Sequence, residues 1–334
     1  PRKTSKDVQI ILSTNDSRQS DTAKLKGFVS IDFKQDVNAS DTFKTELRKH
    51  GKELSSSQLL TLSQNPVYHT VSSVITACRI LISCSSFLKI DDLVKRLAGV
   101  KDANEFFSIS METLEFAEAK FKDASLSALL FVSLSHYGLE EITLLSLLEK
   151  KYGINQMEWL EIGQFVRIFC SVYNDHFFVI NNETRNKILE HGKNYGVAEM
   201  RVLLGNECEH HIWNVPLRGE KRKYLFEQIL QYKEAKAFDK LYETVAKIQK
   251  LDILCDVSWS VVRNAWLELL LATDYSITDT YKDFSSRVYE YIRKFASSDF
   301  DASVFNVHED SLRPLNAKIE ALYADLYLWR ECAD

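Results

Sequence analysis

The chain has 334 residues, 45% of them apolar, which is enough for two or three packed domains. Only four prolines and ten glycines argue for long helices and against an all-β fold. A net charge of −5 gives no pull toward nucleic acid or acidic lipid, and no apolar run approaches the roughly 18 residues needed to cross a bilayer.

Val8-Gln9-Ile10-Ile11-Leu12, ending in Ser13-Thr14-Asn15, and Phe28-Val29-Ser30-Ile31-Asp32-Phe33 read as two short buried strands. A parallel pair joined by a polar stretch leaves both sheet edges open. Further strands before Pro1, or another chain, are expected to cover them, so residues 1–37 read as the end of a larger α/β sheet and the chain as a piece of a longer polypeptide.

Residues 38–123 read as a helical module. Ser40 or Asp41 caps a helix through Phe43, Leu47 and His50, closed by Gly51. Ser55–Leu62 is a short helix, and Asn65-Pro66 breaks the chain. Val67–Ile82 is a strongly apolar helix, Ile90–Leu97 ends at Gly99, and Asn104–Phe121 closes the module.

Residues 124–195 carry the most specific pattern. Leu126 to Leu134 has helical spacing and stops at Gly138. Glu140 and Glu141 open a second helix through Leu144, Leu145, Leu147 and Leu148, ended by Gly153. Asn155 caps a third helix through Trp159, Ile162, Phe165 and Phe169. The period then changes. Ser171-Val172-Tyr173, Asn174-Asp175 and His176-Phe177-Phe178-Val179-Ile180 read as strand, turn and strand. Asn181 or Asn182 caps a last helix through Ile188. Three helices, a hairpin and a helix are the order of a winged helix. Many winged helices bind DNA, yet Glu158 and Glu161 on the third helix and Asp175 at the hairpin tip would repel a duplex. A module packed against protein is expected instead.

Residues 196–334 are helical almost throughout, with helices expected at Val197–Glu209, Glu220–Glu234, Phe238–Ile248, Val257–Ala272, Asp279–Phe295 and Leu312–Trp329. Paired helices joined by short turns suggest an α-solenoid without a strict repeat. Cys208, Glu209, His210 and His211 look like metal ligands, but neighbours on a helix diverge by about 100° and cannot share one ion. Arg218, Lys221, Arg222 and Lys223 form a basic patch diluted by Glu220 and Glu227, read as a solvated helix end. The six cysteines, Cys78, Cys84, Cys170, Cys208, Cys255 and Cys332, are scattered among apolar neighbours and read as reduced thiols of a cytosolic protein. The fold class is mainly α.

Several stretches together resemble a known family. They are the strand ending in Ser13-Thr14, "HGKELSSSQLLTLSQNPVYHTVSSVITACRI", the opening "ALLFVSLSHYGLEEITLLSLL", and "FDKLYETVAKIQKLDIL" with "SVVRNAWLELL". In this order they resemble the nephrocystin-like STAND class of AAA-like, NACHT-related NTPases, over roughly residues 7–270. The resemblance implies the end of a P-loop domain, a helical module, a winged helix and the start of helical repeats. It also implies that ATP or ADP with Mg is held by the parent chain, because the phosphate-cradling loop is absent here and Gly51-Lys52 lacks its upstream glycine. No cofactor is expected in this segment, and the segment itself is expected to be non-catalytic.

By that resemblance the nucleotide-contact candidates are Thr14 and Asn15 at a strand end, Pro66 in the helical module, and Asn181 where relatives place a histidine. Asn181 can donate a hydrogen bond but carries no charge. Each has a plain structural role to set beside this: a strand end, a helix start and a helix cap. The expected function is a regulatory and interaction segment that couples nucleotide state to protein partners, as a homo- or hetero-oligomer, with no nucleic acid and no membrane. The rival is a scaffold that keeps the fold without nucleotide. A cytoplasmic location is expected, at the cilium or cytoskeleton by family association alone.

Overall fold

The computed structural model describes residues 38–84, 89–102, 105–113, 119–254, 259–293, 317–322 and 324. All belong to the second of two units, Pro1–Val37 and Asn38–Asp334. The two expected strands, with Thr14 and Asn15, lie outside the described residues. What is described is mainly helical, with one small antiparallel sheet. Among the described residues no helix is long and apolar enough to cross a membrane.

Helices α1 (Ala39–Lys49), α2 (Ser56–Ser63), α3 (Val71–Ser83), α4 (Ile90–Ala98) and α5 (Glu105–Thr113) form a first body. Its buried centre includes Phe43, Leu62, Tyr68, Val74 and Leu97. Ser55 and Gln58 make a capping box at the start of α2. The single helix expected from Val67 is two elements. A 3-10 turn, Pro66–His69, comes first, and Thr70, with extended backbone, then caps α3 through its hydroxyl. Of the stretch expected as a helix over Asn104–Phe121, residues 105–113 and 119–121 are helical, and 104 and 114–118 lie outside the described residues. Lys52 closes α3. Its Nζ donates to the carbonyls of Leu81, Ile82 and Cys84 at 2.9, 2.7 and 2.7 Å, where the helix dipole is negative.

The second body is built on α6 (Ala119–Leu134), whose residues from Ala124 to Leu134 are all buried, three small serines among them, as is Ser135 just beyond. Around it lie α7 (Glu141–Tyr152), α8 (Gln156–Phe169), α9 (Asn182–His191) and strands β1 (Leu139–Glu140), β2 (Cys170–Tyr173) and β3 (His176–Val179). Asn155 and Glu158 form the capping box of α8. The β2–β3 hairpin turns on Asn174 (φ 48°) and Asp175 (φ 61°), the positive-φ pair that a two-residue turn requires.

A helix opening at Glu140 is expected from the sequence, but Leu139 and Glu140 instead pair with Phe177 and His176 as a third strand, giving the order β1-β3-β2. Two residues are too few to show alternation. Gly138 makes the strand possible, since its φ is +74° and a Cβ there would lie 2.6 Å from the Phe178 ring.

The first two bodies meet where Arg79 of α3 donates to the carbonyls of Cys170 and Ile168 at the end of α8, at 3.1 and 3.4 Å. Phe107 of α5 meets Phe169 edge-on beside it.

Helices α10 (Val197–Asn214), α11 (Arg218–Glu234), α12 (Phe238–Val245), α13 (Ile248–Leu254), α14 (Trp259–Ala272) and α15 (Ile277–Arg293) follow. Their core gathers Ile229, Leu241, Trp266 and Tyr281, joined by Ile319 and Leu322 from the described part of the last expected helix. The helix expected at Phe238–Ile248 ends at Val245, and α13 is a separate helix. Its polar Lys250 and Asp252 are buried and paired, which hides it from a search for apolar spacing.

Candidate functional site

Two of the four nucleotide-contact candidates are described. Pro66 is exposed at the start of its 3-10 turn, beside a cleft lined by Gln64, Asn65, Val100 and Lys101. Asn181 lines a different cleft, with Ser73, Thr76, Phe107, Thr184 and Lys187, whose cavity of about 10 Å³ is the size of a single water. The Asn181 Oδ1 accepts from the Thr184 backbone N–H at 2.8 Å, so its side chain is engaged as the N-cap of α9.

Among the described residues, buried polar groups gather elsewhere, where the second body meets α10 and α11. A helix leaves its last carbonyls without intrahelical donors. At the end of α6 these are met by side chains from two other helices. Arg185 of α9 donates to the Ser133 carbonyl at 2.7 Å, and Gln231 of α11 donates to the Leu134 carbonyl at 2.8 Å. The next N–H, of His136, donates to both oxygens of Glu227 at 3.2 and 3.1 Å. Glu227 is 3% exposed and Gln231 is fully buried. Gln231 also donates to Glu227 at 2.7 Å and accepts from Arg201 at 2.8 Å, while Arg201 pairs with Glu234.

A second cluster continues the seam across β1 and β3. Tyr224 of α11 donates to Glu140 at 3.0 Å, and Lys223 meets the Nε2 of His176 at 2.9 Å. His211 of α10 bonds Thr143 of α7 at 3.1 Å and stacks on Tyr224. Glu207, also buried, takes hydrogen bonds from Ser146 and Lys150 of α7. A cavity of about 20 Å³ remains inside, bordered by Glu140, His176, Cys208, Tyr224 and Glu227.

The chemistry here is proton exchange and charge pairing. Hydrogen bonding to Glu227, against burial, raises the pKa of His136, and the Glu227 and Glu234 charges add to the effect. Burial lowers that of His211. Burial also pushes the Cys208 thiol well above its ordinary range, with Glu227 and Glu207 adding to it, which leaves a thiol of low reactivity.

The four residues from Cys208 to His211 point apart, as the helical turn demands. Cys208 is in the core, Glu209 bonds Lys250, His210 bonds Asn214, and His211 faces Thr143. The basic patch is not a uniformly solvated helix end. Arg218 bonds Asp252, Arg222 donates to the Ile253 carbonyl at 3.1 Å, and Lys223 faces His176. Glu227 and Gln231 were visible in the sequence only as polar residues four apart beside Leu225, Ile229 and Tyr232. That spacing places them on one helix face, and nothing in it reveals that the face is buried.

No family model, curated protein or solved structure matches this chain.

Proposed function

We propose that this chain is the regulatory and interaction segment of a nephrocystin-like STAND NTPase, with residues 124–195 as its winged helix and 196–334 as the leading helices of a solenoid. The order helix, strand, helix, helix, strand, strand, helix supports the winged-helix reading. The observation that carries the functional reading is the Glu227 seam. It ties the end of α6, and through β1 and β3 the hairpin, to the first helical pair by charge-assisted hydrogen bonds. A relay between a nucleotide domain and a partner needs a joint that is made in one state and broken in the other, and a seam of this kind would serve as one. ATP or ADP with Mg would be held by the parent chain, and this segment would pass its state to a protein partner in the cytoplasm, at cilia or the cytoskeleton by family association.

A protein partner is favoured over a duplex by the surface of α8. Its Arg167 is paired with Glu141 at 3.2 Å, and Lys120 with Glu158 at 2.5 Å, so neither cation is left over for phosphate. Met157 and Leu160 of the same helix are exposed.

Asn181 favours a second reading, a scaffold that keeps the fold without nucleotide, because its side chain is oriented as a cap through Oδ1 and brings no positive charge to a phosphate. A thermal shift with ADP and Mg on the parent chain separates the two. A rise in melting temperature that is lost on breaking the seam supports the relay, and no rise supports the scaffold.

A further inference from the structure

The turn between α10 and α11 borders an open cleft of about 710 Å³, within the size range of ligand sites. Among the described residues, three cations, Arg218, Lys221 and Lys247, line it with one carboxylate, Asp252, while Glu209 lies beside Lys247. Trp213 on its wall and Leu217 in the adjoining turn are 48% and 61% exposed, large apolar groups beside the cations.

Each cation is placed differently. Arg218 is held by Asp252 at 3.3 Å, and Lys247 lies 3.5 Å from Glu209 and is half exposed. Lys221 has no carboxylate partner among the described residues. The first turn of α11 starts at Arg218 without a side-chain cap, which adds partial positive charge to the same rim.

We propose that this cleft docks an acidic peptide segment of a partner protein, with an apolar or aromatic residue seated on Trp213. The exposed Trp213 and Leu217 beside these cations suit a peptide that carries apolar as well as acidic side chains, whereas a bare phosphate would leave both apolar groups uncovered. The inference rests on the reading of the chain as an interaction segment for the existence of a partner, but its residues are not those of the Glu227 seam, so either can fail without the other.

The test uses the 334-residue chain and a fluorescein-labelled glutamate–tyrosine copolymer, followed by fluorescence anisotropy. The whole chain is negative, so binding of an acidic polymer runs against its net field and reports a local site. The expected result is salt-sensitive binding that weakens about tenfold in Lys221→Glu and again in Trp213→Ala, and is kept in Lys122→Glu on α6. Lys221→Glu alters a side chain with no ion pair among the described residues, and circular dichroism checks that each variant is folded. Absence of binding, equal binding of a lysine–tyrosine copolymer, or full affinity in both cleft variants overturns the proposal. Displacement of the copolymer by inorganic phosphate or ADP would assign the cleft to phosphate and also overturn it.

Discussion

The backbone N–H of His136 donates to both carboxylate oxygens of Glu227, and the His136 ring reaches the same carboxylate at 3.6 Å. One buried acid on α11 thus holds both the chain end of α6 and a titratable ring. Glu234 faces that ring from the same helix at 3.8 Å, and Arg185 opposes its charge from α9.

A pH dependence follows, with two opposing parts. His136 has its pKa raised above 6.5, so its contribution to the folded state is fully present below 6.5 and is lost as pH rises through the raised value. His211 has its pKa lowered, because burial outweighs Glu207 and Glu140 while His210 and Lys150 add repulsion. Its contribution is present above 6.5 and is lost as pH falls through the lowered value. Urea midpoints measured between about pH 5 and about pH 8 are expected to crest near the ordinary histidine value. His136→Gln should flatten the alkaline side and His211→Gln the acid side. A curve that keeps its shape in both variants would contradict the assignment.

Lys250 and Glu209 form the most buried Lys or Arg ion pair among the described residues, with side-chain exposures of 1% and 30%. Burial draws the Lys250 pKa down against the pull of Glu209. At Glu209 burial opposes ionisation, yet hydrogen bonds from Lys250 and Gln228 outweigh it and hold the carboxyl down at about 2. Lys250→Met removes the buried partner of this acid, leaving it Lys247 and the Gln228 and Trp213 donors, and should cost about 2 kcal/mol in urea unfolding. Adding Glu209→Gln should recover the greater part, because the under-paired charge is then gone. A double variant no more stable than the single one would show that the loss came from packing.

Gly205 of α10 lies against the Tyr232 ring of α11, where a Cβ would come within 2.4 Å of Cε1. The missing side chain lets these two helices approach, and the stiff ring has little room to yield. Gly205→Ala should therefore destabilise by about 1–3 kcal/mol. Combined with Tyr232→Val, the alanine should cost much less than it does alone, and strict additivity of the two changes would refute the contact.

Arg79 fastens the first body to the second through the carbonyls of Cys170 and Ile168. Arg79→Met keeps the bulk and removes the donors, with an expected loss of about 2 kcal/mol. Amide exchange should speed up at the end of α8. Unchanged exchange there would mean that packing, such as Phe107 on Phe169 and His191, holds the two bodies without the Arg79 hydrogen bonds.

Much of the local structure was legible in the sequence. Asn155 with Glu158, Gly153, and the Asn174-Asp175 turn announce their caps and hairpin by residue type, because each answers a local backbone demand. The strand at Leu139–Glu140 was not legible. Its two residues pair only because β3 arrives beside them from 36 positions later, as in Glu140 with His176. Helix α13 was hidden for a related reason, since Lys250 and Asp252 are polar letters whose burial depends on Glu209 and Arg218 elsewhere in the chain. The seam shares this property. Glu227 and Gln231 look like solvent-facing residues until α6 ends against them. Of the expected nucleotide contacts, Pro66 and Asn181 are placed in separate clefts.

The most direct measurement is native-state hydrogen exchange on the chain carrying Glu227→Ala with Gln231→Ala. If the seam couples the second body to the helices after it, amides at 133–143, 172–180 and 201–231 should lose protection together, while α1–α4 keep theirs. If protection falls only within α11, around the substituted residues, the two bodies are held by other contacts and the relay reading is wrong.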